Sequence, residues 1–586
     1  MRYIAMTNFN NKPFVEVKQA FDVARGWASI CQSLNLAIQN LENKKPIVVI
    51  ETYQGVIHEE LVEGLQNGLQ YDQWVEASML MKPEEEIRQM VYPDVTDDRI
   101  FGYLTRLNID DYFDEHKVKN TQNLLAISEG VTIIYGTGAS LIAADYDLLV
   151  YADMARWEIQ LRMRKHEVDN VGVKNRNTED WMLLYKQGFF VDWRACDRLK
   201  KKLFDKWDFV LDTNKAGEPK MVSGAAMRTG FEQAINRPFS VVPFFDPGPW
   251  GGQWMKEKCN LDPSAVNYAW CFNCVPEENS LFLKFGEDMI ESPSINLVFR
   301  YPEKLLGKPV HGRFGDEFPI RYDLLDTFGG GNLSLQVHPL TEYIQEKFGM
   351  HYTQDESYYM LDAKEGAFVY LGLKDDVNPD QMIDELEASK VSGKFDAEKH
   401  VGKWPIKKHD HVLIPAGTVH CSGEDSLVLE ISATPYIFTF KLWDWGRLGM
   451  DGKPRPINIE HGKANIQWNR KEDYCKKELI NAIEVIAEGD GWVEERTGLH
   501  EREFIETRRH WFTKEVLHER FNSVDVNCLI EGDEAIIESP NHEFEPFVVH
   551  YAETWIMPAH LGNYTIRPYG RGEGQKCGTL KAFVRS

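Results

Sequence analysis

Long apolar runs are missing from this chain. No stretch reaches about 18 uninterrupted apolar residues, the length that a membrane-spanning helix requires. The first residues, MRYIAMTNFNNKPF, also lack the basic start and apolar run of a secretory signal. We therefore expect no membrane partner and a cytoplasmic location.

Positive charge is in short supply as well. The 586 residues include 66 Lys and Arg against 91 Asp and Glu, which gives a formal net charge of −25. The summed field repels phosphate backbones and anionic lipid surfaces, so nucleic acid is not an expected partner. A small anionic substrate would have to be held by a local cluster of Lys and Arg, assisted by a bound metal ion.

The cysteines follow no disulfide framework. Nine are spread along the chain, an odd number without repeating spacing, as expected where thiols stay reduced. Cys271 and Cys274 form a CxxC, but no second pair follows nearby to complete a structural zinc site. We expect these two residues to be buried thiols.

The length predicts several domains, because a single core rarely grows beyond roughly 250 to 300 residues. Residues 1–230 indicate an α/β domain, with strand-like runs at 46–50 and 131–135 and a helical segment at 151–166. Residues 231–460 change to short apolar runs separated by turns, an all-β pattern. Residues 461–586 start with helical spacing to about residue 489 and end in short strands, which predicts a helical linker and a second β-sandwich.

Potential metal ligands occur in three separate segments of the middle domain. In GGGNLSLQVHP, Gln336 and His338 alternate with apolar residues, so on a strand both project from one face. Glu356 precedes the predicted strand at 358–361, and a Pro-Ala-Gly turn delivers His420 onto another strand. Two imidazoles, a carboxylate and an amide oxygen leave open positions on a divalent ion, as a catalytic site requires.

The same segments resemble a known family. The runs FPIRYDLLDTFGGGNLSLQVHP, SYYMLDAKEGAFVYLGL and HVLIPAGTVHCSGEDSLVLEIS are similar to class I mannose-6-phosphate isomerases, which are zinc-dependent cupins. The resemblance covers residues 240–450 and implies a jelly-roll sandwich with one Zn²⁺ per chain. Its implied ligands are Gln336, His338, Glu356 and His420.

The resemblance also implies a substrate and a reaction. Ser334 matches a serine that helps to hold the substrate phosphate, and Arg321 is a further candidate for that role. The implied partner is a phosphorylated hexose, and the implied reaction interconverts mannose 6-phosphate and fructose 6-phosphate through an enediolate. A divalent ion suits this chemistry, because it polarises the carbonyl and stabilises the developing oxyanion.

Three further residues are candidates for the chemistry. Glu430 matches an active-site glutamate and is the candidate acid/base; the alternative is a solvated strand residue. Lys441 stands where many members of the family have arginine, and lysine lacks the planar fork that binds an oxyanion through two hydrogen bonds. Arg447 either takes over that role or is a surface residue.

The flanking regions resemble known modules more faintly. The N-terminal domain is similar to a kinase-like domain fused ahead of such isomerases, but PIVVIETYQG is not followed by the lysine and Ser or Thr of a phosphate loop. Gly136 and Gly138 follow a predicted strand, where a ligand loop or a plain turn are the alternatives. We interpret this domain as a degenerate nucleotide-fold module. In the last β unit His560 directly follows Pro-Ala, which predicts a cupin without metal.

The basic segment RWEIQLRMRK lies in the N-terminal domain and has two interpretations. It contains Arg156, Arg162, Arg164 and Lys165, which would either bind an anion at a domain face or form a solvated helix face. We take the solvated helix as the default. Because every candidate site residue lies beyond residue 230, we also expect the N-terminal domain to be dispensable for the chemistry.

Two rival functions remain at this stage. Two histidines and one carboxylate with open positions suit iron for oxygen chemistry, although Gln336 as a fourth ligand argues against that reaction. A non-catalytic sugar-phosphate sensor is the other rival, favoured by Lys441 and by the incomplete phosphate loop. The sequence leaves the oligomeric state open.

Overall fold

The chain forms a multidomain, sheet-rich molecule. Its computed structural model describes residues 7–433, 436, 438–450, 452, 455–498, 500 and 503–585, and contains six sheets within them. None of the helices in these ranges is long and apolar enough to cross a membrane.

The N-terminal sheet has a parallel centre. From one edge to the other its strands are Ala24–Arg25, Lys220–Ser223, Phe209–Asp212, Leu148–Asp153, Ile47–Thr52, Thr132–Gly136 and Gln73–Glu76. The last five of these run parallel to one another, and the central ones are buried along almost their whole length. Near-continuous apolar runs such as IVVIET are typical of parallel strands covered on both faces.

Helices cover this sheet. They span Gly26–Gln39, His58–Gln66, Glu84–Val95, Glu115–Ile127, Arg156–Arg164, Trp181–Gln187, Trp193–Leu203 and Gly224–Ile235. The predicted strands at 46–50 and 131–135 are found with slightly later bounds. The helix predicted at 151–166 is shorter, because the run LLVYAD at its start is a fully buried strand and the helix begins only at Arg156.

The basic helix is not solvated, so that default interpretation is wrong. Arg156 and Arg162 are 2% and 1% exposed. Arg156 pairs with Asp197 and with Glu277 of the following domain. Arg162 donates to the carbonyl oxygen of Gly55 at 2.8 Å. Arg156 and Arg162 therefore pack against buried acceptors, whereas Lys165 at the end of the helix is exposed.

Two antiparallel sheets form the middle of the molecule, and we call them the middle sheets. The six-stranded one consists of His411–Ile414, Glu356–Ala363, Ser426–Ser432, Arg321–Asp326, Trp270–Cys274 and Phe244–Asp246. The five-stranded one consists of Val401–Pro405, Phe368–Leu373, His420–Ser422, Leu335–Val337 and Phe440–Trp443. Cys271 and Cys274 are free and buried, as predicted.

The middle region is not all-β. It also contains the helices Ile295–Arg300, Pro302–Leu306, Lys308–Phe314, Thr341–Phe348, Pro379–Ser392 and Ala397–His400. The helix Pro379–Ser392 carries clear end signals: the Asn378 side chain accepts from Gln381 N at 3.1 Å, proline occupies the first turn, and Gly393 follows with a φ of 66°. These signals were present in the sequence and were overlooked.

A small sheet joins the first domain to the second. Phe14–Glu16 pairs in parallel with Ser280–Phe285, which pairs in turn with Asp288–Pro293. The start of the chain therefore packs beside residues far beyond position 230.

The C-terminal region contains the two remaining sheets. One consists of Glu484–Gly489, Trp492–Gly498, Ile505–Phe512, Cys577–Val584, Asp525–Glu531 and Thr554–Met557, and the other of Val516–His518, Tyr564–Pro568, Glu534–Glu538 and Phe547–His550. Buried residues from both sheets, including Phe512, Trp555 and Tyr564, form a shared core. The predicted helical stretch ends early, because Glu484–Gly489 is an edge strand, preceded by the helix Ile459–Asn465 and a short helical turn at 472–479.

Candidate active site

Both middle sheets contribute residues to one buried cluster. Gln336 and His420 are directly opposite each other on neighbouring strands of the five-stranded sheet. His338 follows the strand of Gln336 by one residue. Glu356 begins a strand of the six-stranded sheet. The three segments singled out in the sequence therefore converge inside the molecule.

The cluster is compact. Nε2 of His338 lies 3.1 Å from Oε2 of Glu356, and Nε2 of His420 lies 2.8 Å from Oε1 of the same carboxylate. The amide nitrogen of Gln336 lies 3.2 Å from Nε2 of His420. His338 and His420 are 0% exposed and Glu356 is 1% exposed. The two histidines and the glutamate are the group of three in the described part of the chain whose ligand atoms all lie within 4.8 Å of one another.

Backbone carbonyls orient both imidazoles. His338 Nδ1 lies 2.7 Å from Phe438 O, and His420 Nδ1 lies 2.8 Å from Thr418 O. A carbonyl only accepts, so each Nδ1 carries the proton and each Nε2 presents a lone pair to the cluster.

The donor set fits a divalent metal ion. Two imidazole nitrogens and two carboxylate oxygens face one another as acceptors, and Nε2 of His338 and Oε1 of Glu356 are buried without a hydrogen bond to any described residue. Acceptors at such distances repel unless a proton or a metal cation lies between them. Burial alone would raise the pKa of Glu356, but positive charge at the positions of His338 and His420 holds it well below its usual range. The Glu356 carboxylate is therefore ionised when a cation lies beside it, as a metal ligand must be.

A cavity of about 450 Å³ lies next to the cluster. Five of the residues predicted from the sequence line it: Arg321, Ser334, Gln336, Glu430 and Lys441. Arg447 is not part of this lining. Glu430, Lys441 and the potential metal ligand Gln336 therefore face the same cavity.

Glu430 is buried at the wall of this cavity. It lies on the strand Ser426–Ser432, opposite Asp323 on one side and Tyr358 on the other. Burial raises its pKa well above the ordinary value, the charges of Glu356 and Asp323 raise it further, and Arg321 opposes them. The alternative of a solvated strand residue is therefore wrong.

Lys441 is half-buried at the same cavity. Burial and, after it, the charge of Arg455 lower its pKa to about 7, while Asp444 acts in the opposite direction. The ammonium group therefore exchanges its proton near neutral pH.

Asp444 organises the residues around Ser334. The Ser334 hydroxyl donates to Asp444 Oδ1 at 3.0 Å and accepts from Arg455 Nη1 at 3.2 Å. Arg455 pairs with Asp444 Oδ2 at 2.8 Å, and Arg447 pairs with Asp444 Oδ1 at 2.7 Å. Arg447 is thus a partner of Asp444 behind the cavity, whereas Arg455 lines it. The sequence interpretation missed Arg455, which stands between two prolines and outside any motif.

Arg321 is also oriented within the protein. Its side chain is 4% exposed, and Nη2 donates to Asp323 Oδ2 at 3.1 Å. Nε and Nη1 are buried without a hydrogen bond to a described residue. Arg321 therefore keeps two donors in the cavity wall.

The N-terminal domain supplies a wall of the cavity. Eight of the lining residues come from it: Arg99, Ile100, Trp157, Gln160, Arg164, Trp181, Met182 and Tyr185. The expectation that the first 230 residues are dispensable for the chemistry rested on every candidate residue lying beyond them, and this lining removes that ground. No local pattern pointed to them, because they come from separate helices and loops and meet only in the folded chain.

The predicted nucleotide loops are internally satisfied. Glu51 accepts from the backbone N of Gly138 at 2.6 Å and of Ser140 at 2.8 Å. A Cβ atom at Gly55 would lie 2.6 Å from a side-chain carbon of Ile159. The backbone N–H groups of Gly138 and Ser140 are therefore bonded to Glu51, and the space beside Gly55 is filled by Ile159, as in a plain turn.

His560 does not belong to the group of potential metal ligands found among the described residues. It is exposed, with its ring nitrogens 3.1 Å from Lys304 O and 3.0 Å from Asn236 Oδ1.

Comparison with known proteins adds relatives for most of the chain. A family model described as "Domain of unknown function (DUF8485)" matches residues 26–236. The chain is 24% identical over 348 residues to the putative mannose-6-phosphate isomerase YvyI of Bacillus subtilis (strain 168). This alignment covers 56% of this chain and 96% of the relative. It is 29% identical over 213 residues to a mannose-6-phosphate isomerase of Streptococcus mutans, which covers 36% of this chain and 62% of the relative.

Solved structures give similar matches. The mannose 6-phosphate isomerase of Bacillus subtilis aligns with a TM-score of 0.49 and 19% identity, over 59% of this chain and 99% of that one. A putative mannosephosphate isomerase of Archaeoglobus fulgidus aligns with a TM-score of 0.45 and 17% identity, over 60% of this chain and 98% of that one. The chain therefore has mannose-6-phosphate isomerase homology at low identity.

Proposed function

We propose that this protein is a metal-dependent aldose–ketose isomerase that interconverts mannose 6-phosphate and fructose 6-phosphate. The observation that carries the proposal is the convergence of His338, Glu356 and His420 beside a cavity lined by Gln336 and Glu430. The names of the relatives agree with this reaction class.

Gln336, His338, Glu356 and His420 would hold the ion, and the mixed nitrogen and oxygen donor set suits zinc. When bound, the ion supplies Lewis-acid polarisation of the sugar carbonyl.

Proton transfer falls to the chain's own residues. The Glu430 carboxylate would take the proton from C2 of the aldose and return it to C1. The proton of the C2 hydroxyl would pass to the C1 oxygen, so that the aldehyde becomes the ketose through an enediolate. Burial and the neighbouring carboxylates raise the pKa of Glu430, which is the direction in which enzymes shift a carboxyl group that acts as an acid/base. Lys441 would stabilise the negative charge that develops on the substrate oxygen.

The remaining parts of the chain would support this site. We propose domain boundaries near residues 230 and 460, a degenerate kinase-like fold at the N-terminus, and a metal-free second cupin at the C-terminus. The incomplete phosphate loop and the surroundings of His560 support these assignments.

A coupled assay tests the proposal. Zinc-loaded protein should convert mannose 6-phosphate into fructose 6-phosphate, and removal of the metal by a chelator should abolish turnover. Binding of the sugar phosphate without turnover would favour the non-catalytic sensor instead.

A further inference from the structure

A short segment of the N-terminal domain is anchored on the middle region. Phe101 is 1% exposed. Its ring packs against those of Phe348, Phe438 and Phe440, with centroids 5.3, 5.5 and 5.3 Å away. Three residues later, Leu104 N donates to Phe348 O at 3.0 Å. The segment is therefore fixed by apolar burial and by a backbone hydrogen bond.

Arg99 stands two residues before this anchor and lines the cavity. The next residue, Ile100, accepts a hydrogen bond from the Tyr436 hydroxyl at 3.1 Å. Nε of Arg99 donates to Asp180 Oδ2 at 2.5 Å, while Nη1 and Nη2 bond to no residue that the structure describes. The guanidinium is thus held at one edge and keeps its terminal donors for a ligand.

Five cationic side chains line this cavity in a strongly acidic protein: Arg99, Arg164, Arg321, Lys441 and Arg455. The four arginines pair with Asp180, Asp246, Asp323 and Asp444, respectively, whereas Lys441 makes no ion pair with any described residue. Guanidinium donors that these pairs leave unused suit a phosphate group, which accepts several charge-assisted hydrogen bonds.

The same domain adds an aromatic face. The rings of Trp157 and Trp181 line the cavity, and the Arg164 guanidinium lies over both, 5.0 and 4.7 Å from their centroids. Arg164 is held in place by Asp246 through two hydrogen bonds of 2.8 Å. The two tryptophans therefore form a fixed, largely apolar part of the cavity wall.

We propose that the N-terminal domain is part of the substrate site and that Arg99 binds the phosphate group of the phosphorylated hexose together with Arg455. The inference rests on the proposed function for the identity of the sugar. It assigns a binding role to a domain that lies outside the resemblance to the isomerase family. Arg99 is a binding residue and takes no part in proton transfer.

Calorimetry on the full-length chain tests this role without relying on turnover. The probes are inorganic phosphate and mannose 6-phosphate at fixed pH and ionic strength. Arg99→Met should weaken the binding of both by about 10-fold, since one charge-assisted contact is lost. Arg99→Lys should bind with intermediate affinity, because it restores the charge but not the fork.

Arg88→Met is the matched control. Arg88 belongs to the same domain, pairs with Glu84 and has a side chain 45% exposed, compared with 42% for Arg99. Its loss should leave both affinities unchanged. Unchanged binding by Arg99→Met, or no phosphate binding by the parent protein, would overturn the inference. If the parent binds both probes through Arg99 but isomerises nothing, the proposed function fails and the binding role stands.

Discussion

The imidazoles of His338 and His420 define the candidate metal centre at the scale of single residues. Each Nδ1 is committed to a backbone carbonyl, so each Nε2 can only accept. Both Nε2 atoms face the carboxylate of Glu356, which also only accepts when ionised. A cation between these atoms relieves the repulsion of their lone pairs.

Loss of one imidazole should therefore release the metal. We expect His420→Ala to bind zinc at least about 100-fold more weakly, since loss of even an outer partner of a ligand costs up to that factor. Turnover should disappear with the metal. His560→Ala is the control, because that histidine is exposed and lies outside the cluster. Metal analysis after dialysis provides the measurement, and undiminished zinc in His420→Ala would move the site elsewhere.

Lys441 offers a test of charge at the cavity. Lys441→Met keeps most of the length and packing of the side chain but removes the ammonium group. We expect turnover to fall roughly 100- to 1000-fold, or about 2.7 to 4 kcal/mol, by analogy with the loss of an oxyanion-hole donor. Zinc content should stay at the parent level. Lys463→Met, at an exposed position, is the control. Parent-like turnover in Lys441→Met would show that its charge has no role.

The pH profile offers an independent test of the same residue. The pKa of Lys441 is lowered to about 7, so its charge is present below that pH and is lost as the pH rises through it. Turnover of the parent should therefore fall on the basic side with a midpoint near pH 7. Lys441→Arg should stay active to higher pH, because guanidinium does not lose its proton in this range. An identical basic limb in both proteins would assign it to another group.

At the scale of elements, the anchored segment at 99–104 connects the N-terminal domain to the metal ligands. Phe101 stacks on Phe438 with the two rings 13° from parallel. The carbonyl of Phe438 accepts from His338, and its backbone N donates to the side chain of Gln354 at 3.0 Å. Gln354 donates in turn to Glu356 at 3.0 Å. Two potential ligands are therefore positioned by the residue on which Phe101 packs.

Truncation of this anchor should affect both stability and metal binding. Phe101→Ala should destabilise the protein by about 3 to 5 kcal/mol, the usual cost of removing a buried phenylalanine ring. It should also weaken zinc binding by about 10-fold, through the freed Phe438 backbone. Phe14→Ala is the control, since Phe14 is 44% exposed. Denaturant unfolding and a chelator competition measure the two effects. Zinc affinity equal to that of the parent would show that the ligands are positioned without the anchor.

At the scale of the whole molecule, the first domain and the middle region are joined by buried charges. Glu277 of the middle region pairs with Arg156 and Arg194 of the first domain. Burial opposes ionisation of Glu277, but these two arginines lower its pKa to about 2. Removal of one partner from a buried ion pair typically costs about 3 to 5 kcal/mol. The two regions therefore stabilise each other.

A fragment that begins at residue 232 should lose most of its activity. It lacks Arg99, the two cavity-lining tryptophans and the arginine partners of Glu277. We therefore expect kcat/KM to fall at least about 100-fold, equivalent to two lost contacts of ordinary strength. Separately produced residues 1–231 should restore part of the activity when mixed with it. Steady-state kinetics of the fragment with and without its partner is the measurement. A metal-loaded fragment with the kcat/KM of the parent would show that the first domain is dispensable after all.

The sequence alone determined the local features of the site. Gln336, His338, Glu356 and His420 stand in short motifs whose strand placement follows from alternation and from the Pro-Ala-Gly turn, and these strands are found close to the predicted positions. Two parallel strands of the first domain could also be predicted from the sequence, because their apolar runs are nearly continuous.

Only the tertiary structure decided which residues surround the cavity. Arg99 and Trp157 reach it from a domain far away in sequence, and Arg455 reaches it from a proline-rich loop. No periodicity or motif predicts these contacts between distant residues, because they depend on how separate elements pack. The burial of Arg156 was unpredictable for the same reason: its acceptor Glu277 lies more than 100 residues further along the chain. Chemistry confined to one strand can be recognised locally, whereas a cavity between two domains exists only once both have folded against each other.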